Sequence, residues 1–310
     1  MKIWAKNKLS IIITISVLII TVILSVILFI NGETEISSHN FLSAGAAHTA
    51  VLMDDGTVLV LGDEGVPQDG VEDWKDIVSV SSGSAHTVGL TSDGRVVAAG
   101  DNLYGQMDTA DWEDIVAVSA GAYFTLGLKS DGTIIATGDN YYGQIDTDSW
   151  RDIVAISAGA INSIGVKKDG TVVAAGDNSR GQMDIGSWSD IKAVASGSNH
   201  TVGLKTDGTV VAAGDNSYGQ NDVDDWSDVV AVSAGVGITI GLKADGTVLA
   251  TGDNYAGQID LLDWREMVAV SAGCGYTVGI KSDGTAVEAG KDETIEKDIP
   301  LVENAGVALD

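Results

Sequence analysis

The chain has 310 residues, 45% of them apolar, and a formal net charge of −27. A surface that acidic repels phosphate backbones and anionic head groups, which sets nucleic acid aside as a partner. Cys274 is the single cysteine, so an intramolecular disulfide is excluded, and its place among small residues predicts that it is buried.

Residues 1–8 carry Lys2, Lys6 and Lys8 and no acid, and residues 9–30 form a run of 22 without a charge. As a helix that run is about 33 Å long, enough to cross a hydrocarbon core. A secretory signal has a shorter apolar core of about 7–15 residues and a small-residue cleavage site. Here the exit reads Phe29-Ile30-Asn31-Gly32. The reading is therefore a cytoplasmic tail (1–8), a retained transmembrane anchor (9–30) and a linker (31–35). Lysines before the run and Glu33 and Glu35 after it put the N-terminus in the cytoplasm and the remainder outside a plasma membrane. An exported domain without disulfides points to a bacterial surface.

From residue 36 the sequence repeats. A [SA]-[AS]-G motif places its glycine at 45, 83, 121, 159, 197, 235 and 273, every interval being 38 residues. The Asp-Gly pairs ending at 56, 94, 132, 170, 208, 246 and 284 keep the same spacing, as do six tryptophans from Trp74 to Trp264. Within one unit, Ile115–Ser119 and Thr125–Lys129 read as short strands, Ser130-Asp131-Gly132 as a hairpin turn, and Thr133–Thr137 as the returning strand. A less regular segment through GQIDTDSW leads to the next unit and is expected to supply a fourth strand. Units too small to bury a face alone must stack on copies of themselves. The expected fold is all-β, a seven-bladed β-propeller over residues 36–310, favoured over a linear solenoid, whose coils are shorter. Ile36 and Val302 fall at the tryptophan slot before the first unit and after the last, so either terminus can close the ring. The lost motif at 291–298 makes blade 7 the least regular.

Strand parity gives the ring two unlike faces. The Asp-Gly hairpins line one. The three positions after the SAG glycine and the two variable positions of D-N-x-x-G-Q share the other. All seven tyrosines fall in these variable segments. Tyrosine offers large contact area at low entropy cost and is over-represented at recognition surfaces. Tyr123, Phe124, Tyr141, Tyr255 and Tyr276 are the leading partner-binding candidates. Tyr104, Tyr142 and Tyr218 share one repeat slot, which suits them to packing as well.

His48, His86 and His200 occupy one repeat slot in blades 1, 2 and 5, which reads as packing rather than metal binding. The recurring Asp131 and its equivalents fit turn chemistry rather than a calcium loop. No P-loop, HExxH or GxSxG pattern and no nucleophile–base pair is present. No enzyme activity, cofactor or metal is expected.

The pattern S-A-G-x-x-H-T-x-x-L-x-x-D-G-x-V-x-x-x-G-D-N-x-x-G-Q resembles the repeat of the regulator of chromosome condensation family over residues 36–290. The short, insertion-free unit is most similar to a bacterial branch that includes a secreted β-lactamase inhibitor protein. The resemblance implies a propeller. It also implies recognition through aromatic side chains on the variable face, with Tyr123 at the position where that branch carries a large aromatic. Three functions follow as expectations. The first is a membrane-anchored extracellular module for a protein or glycan partner. The others are an inhibitor of a secreted hydrolase such as a β-lactamase, and a guanine nucleotide exchange factor-like regulator as in eukaryotic members.

Overall fold

The computed structural model describes residues 41–62 and 68–290. The tail, anchor and linker read at 1–8, 9–30 and 31–35 lie outside the described residues, as do residues 291–310. Among the described residues no helix is long and apolar enough to cross a membrane.

Seven antiparallel sheets follow one another in the chain, each of three strands in the order inner, middle, outer. In blade 3 these are Ile115–Ala120, Phe124–Lys129 and Ile134–Gly138, with Val118 opposite Gly127 and Leu126 opposite Ala136. Blade 1 begins at Phe41–Ala44 and blade 7 ends at Ala286–Gly290. The middle strands bury both faces because each sheet is sandwiched between its neighbours; Phe124, Thr125, Leu126 and Leu128 are all buried.

The expected fourth strand is absent from the described blades, where residues such as 101–114 run as turns instead. The backbone groups that a fourth strand would pair are met by side chains: the Met107 amide donates to Asn102 Oδ1 (2.7 Å) and the Tyr104 amide to Gln106 Oε1 (2.9 Å). Trp112 then fills the space beside the middle strand. Asp76, Asp114, Asp152, Asp190, Asp228 and Glu266, each two residues after a tryptophan, take a left-handed φ between 57° and 61°. This turn ties neighbouring hairpins together. The Ile115 amide donates to Gly94 O of the preceding blade (3.0 Å), and the Ser130 amide of the same blade donates to Asp114 O (2.9 Å).

The inner strands surround an axial channel of about 190 Å³ lined by alanines, valines and serines. Neighbouring inner strands are linked by a serine hydroxyl that accepts an amide from the adjacent blade. Examples are Ser43 with Ser82 N (2.9 Å), Ser81 with Ala120 N (3.0 Å) and Ser119 with Ala158 N (2.9 Å). Ala195 stands at the serine position of blade 5, and that step carries no hydroxyl. The ring closes by the same device, since the Ala44 amide donates to Ser271 Oγ at 3.0 Å. The Tyr276 hydroxyl adds a bond to His48 O at 2.9 Å.

The SAG glycine is fixed by this crowding. A Cβ on Gly83 would lie 2.4 Å from Gly121 O of the next blade, and one on Gly235 would lie 2.4 Å from Gly273 O. Those contacts are with backbone, which has no room to give.

Candidate recognition face

Five loops of sequence D-N-x-x-G-Q-x-D (101–108, 139–146, 177–184, 215–222 and 253–260) are built alike. In the second, Asn140 Nδ2 donates to Asp146 Oδ1 (2.8 Å), Gln144 Nε2 donates to Asp139 Oδ2 (2.9 Å), and the Ile145 amide donates to Asn140 Oδ1 (3.0 Å). Gln106, Gln144, Gln182, Gln220 and Gln258 are all buried under their loops. Every conserved side chain of the unit is spent on holding the loop, and the two variable positions are pushed into solvent. Leu103 and Tyr141 are each 83% exposed and Tyr255 is 88% exposed, while Tyr104, Tyr142 and Tyr218 are also exposed.

The segment after the SAG glycine joins the same face. The Asp139 amide donates to Tyr123 O (2.8 Å), and the Asp101 amide donates to Ala85 O (2.8 Å). Its three positions have three different fates. The first surrounds the mouth of the axial channel, a recess of about 130 Å³ bordered by Ala46, Ser84, Ala122, Ala160, Ser198, Val236 and Cys274. Cys274 is consequently exposed, contrary to the burial expected from its small neighbours. The second position faces outward. There the Tyr123 ring lies 5.2 Å from that of Tyr104 on the preceding blade, tilted by 46°.

The third position is internal, which removes two of the partner-binding candidates. Phe124 is 0% exposed and Tyr276 is 1% exposed. This residue opens the middle strand and is directed into the seam between blades rather than away from the loop. Tyr276 reaches blade 1 through its hydroxyl, which lies 3.2 Å from Thr49 Oγ1. The histidines of this slot are packing residues of the same kind. His48 Nε2 lies 2.8 Å from Thr87 Oγ1, His86 Nε2 3.0 Å from Thr125 Oγ1, and His200 Nε2 2.9 Å from Thr239 Oγ1. Thr125 and Thr239 already donate to Gln106 O and Gln220 O, both at 2.7 Å, so they accept from the rings and fix the proton on Nε2. Burial holds all three imidazoles at a pKa of about 4, well below the ordinary 6.5.

The exposed aromatics are not spread evenly. Leu103, Tyr104, Tyr123, Tyr141 and Tyr142 form one arc on blades 2 and 3, with Tyr141 and Tyr142 edge to face at 4.9 Å. Tyr218, whose ring packs 3.4 Å from where a Gly237 Cβ would be, and Tyr255 stand apart on blades 5 and 6. Leu103 belongs to this arc although tyrosine counting passes over it; its signal was an apolar residue in a variable loop slot. The opposite face carries turn chemistry. Asp131 Oδ1 accepts from the Thr133 amide (2.9 Å) and hydroxyl (2.6 Å), and the same bonds recur at Asp169, Asp207 and Asp245. Among the described residues no group of three His, Cys, Asp or Glu side chains is placed to hold a metal ion.

Residues 77–106, 115–144, 153–182, 191–220 and 229–258 match the family model described as the Regulator of chromosome condensation (RCC1) repeat. No curated protein matches the chain by sequence. Among solved structures, the CRINKLY WD40 ectodomain of the Arabidopsis thaliana receptor kinase ACR4 is similar with a TM-score of 0.68. It is 21% identical, over 85% of this chain and 98% of that one. The ectodomain of the Physcomitrella patens receptor kinase CR4 gives a TM-score of 0.65 at 18% identity, covering 81% of this chain and 72% of that one. Yeast RCC1 (Prp20), in its complex with Kap60, gives 0.60 at 16% identity, covering 82% and 80%. At these identities the likeness establishes the ring fold.

Proposed function

Because the chain belongs to the regulator of chromosome condensation (RCC1) repeat family, we propose that its ring is a protein-recognition module working through the loop face of blades 2 and 3. The observation that carries this reading is the arc of Leu103, Tyr104, Tyr123, Tyr141 and Tyr142, held outward by loops whose Asp, Asn and Gln side chains brace them. Aromatics displayed on a rigid base lose little entropy on binding, which suits them to anchor an interface. Leu103 and Tyr141 are largely exposed rather than enclosed, which favours a protein partner over a glycan. A protein of similar fold, yeast RCC1 (Prp20), is seen bound to Kap60, which supports a protein partner.

A photo-crosslinking amino acid placed at position 141 should trap the partner in cells, whereas the same group at position 131, on the hairpin face, should not. Equal trapping from both positions, or trapping from 131 alone, would exclude the loop face as the recognition surface.

The uncharged run at 9–30, with lysines before it and glutamates after it, supports membrane attachment with the ring outside the cell. The exposed Cys274, the single cysteine of the chain, gives a direct readout. A membrane-impermeant maleimide should label it on intact cells without any engineered change. Labelling that appears only after permeabilisation would place the ring on the inner side.

A further inference from the structure

Both faces of the ring are acidic, but they differ in where the cations lie. Twelve lysines and arginines lie among the described residues, and eleven of them sit at the hairpin end. Lys129, Lys167, Lys205, Lys243 and Lys281 end the middle strands beside the Asp-Gly turns, and Lys243 lies 3.8 Å from Asp228. The loop face holds one cation, Arg180, against the ten aspartates that open and close the five loops. Those carboxylates are braced by neutral donors, such as Asn102 Nδ2 to Asp108 Oδ1 (3.0 Å) and Gln144 Nε2 to Asp139 Oδ2, which fix their position without cancelling their charge. Arg180 acts on Asp177 and Asp215, so blades 4 and 5 are partly neutralised. Around the tyrosine arc, the loops that carry Asp101, Asp108, Asp139 and Asp146 hold no lysine or arginine.

Resting on the recognition reading above, we propose that the partner presents a cationic protein surface to this arc. Its lysine or arginine side chains lie over Tyr104, Tyr123, Tyr141 and Tyr142 and between the four aspartates. A tyrosine face attracts a cation through its quadrupole, and an uncompensated carboxylate beside it adds a charge-assisted partner. An acidic or neutral partner would leave these carboxylates unpaired at the interface, which disfavours it. The excess of acid over base around the whole ring attracts a cationic partner as it approaches, and the absence of a neighbouring cation at the arc lets it dock there.

The test uses the full chain and a short alternating Arg-Gly peptide as probe, with a Gln-Gly peptide of equal length as control, measured by calorimetry at two salt concentrations. Leu103→Lys should weaken binding of the Arg-Gly peptide and Leu103→Glu should strengthen it, because the position is exposed and takes no part in bracing the loop. Tyr123→Ala with Tyr141→Ala should weaken it about fivefold or more, and Lys168→Glu on the hairpin face should leave it within about twofold. Equal binding of the two peptides, or no binding of the Arg-Gly peptide, overturns the proposal. So does weakening by both Leu103 substitutions alike, or a gain from Lys168→Glu as large as that from Leu103→Glu. If the crosslink from position 141 still traps a partner in those cases, recognition by this face stands and only the partner's charge is wrong. If that crosslink fails as well, the recognition reading falls with it.

Discussion

Acidification from pH 6.5 to pH 4 should cost the ring a large part of its stability, and replacing one buried histidine should visibly reduce that cost. His48, His86 and His200 sit in blade seams with a pKa of about 4 in the folded chain, against 6.5 for the free side chain. The folded state therefore resists protonation that the unfolded state accepts. Above pH 6.5 both states are neutral and nothing is lost. Between 6.5 and about 4 the unfolded chain binds more protons, so stability falls as the pH falls. Each ring contributes about 3 kcal/mol over that interval, and three of them reach the order of the total stability of a typical domain. The repeat supplies its own control, since Ile238 fills the same slot in blade 6 while Thr277 beyond it still donates to Gln258 O at 2.7 Å. His200→Ile should lower the slope of unfolding free energy against pH by about a third in this window, leaving stability at pH 8 little changed. Urea unfolding followed at low protein concentration separates the effect from precipitation near the sequence pI of 4.1. An unaltered slope would show that His200 titrates in the folded ring. Below pH 4 the hairpin aspartates add a loss of the same sign. The hydroxyl and amide of Thr133 hold Asp131 below its ordinary value, and the Thr209 amide and hydroxyl do so for Asp207.

Much of this was legible because one spacing of 38 residues carries both structure and contrast. Positions that touch backbone in a neighbouring blade, such as Gly83 and Gly235, are fixed in every copy, while largely exposed positions, such as Leu103 and Tyr141, drift. That contrast gave the two faces correctly. It failed where a residue varies but is not exposed. Phe124 and Tyr276 change from blade to blade among His, Asn and Ile because a seam between sheets accepts any shape that fills it, so variation there reports packing. The threonine or serine that follows this slot in all seven copies marks the start of the middle strand and is the signal that would have separated it from its neighbour Tyr123. Cys274 was misplaced for the converse reason, because small residues also border a channel mouth. The missing fourth strand was hidden by the chemistry of Asn102, Gln106 and their equivalents, whose side chains replace backbone pairing in a way that hydrophobic alternation does not display.

A close pairwise constraint joins each tryptophan from Trp74 to Trp264 to the glycine fifteen residues later, and separating the two should be far worse than replacing both. A Cβ on Gly127 would lie 2.6 Å from Trp112 Cζ3 and 3.0 Å from Ile135 Cγ2, and the same clash recurs at Gly165 with Trp150 (2.8 Å) and Gly203 with Trp188 (2.7 Å). Gly127→Val must therefore expel a buried indole, and a loss of about 3 kcal/mol is expected from overpacking. Trp112→Ile alone leaves a cavity beside the middle strand and should cost roughly 2–4 kcal/mol. Blade 1 already carries the exchange in sequence, with Val51 at the glycine position and Ile36 at the tryptophan position. Val51 is buried against Leu42, Tyr276 and Val278, which shows that a branched side chain fits this place in the sheet once no indole claims it. The double variant should then be more stable than the sum of the single losses by at least about 1.5 kcal/mol. Chemical unfolding of the four proteins in one cycle measures that coupling. Losses that simply add would mean the indole and the glycine are independent, and that the repeat keeps them together for a reason other than their contact.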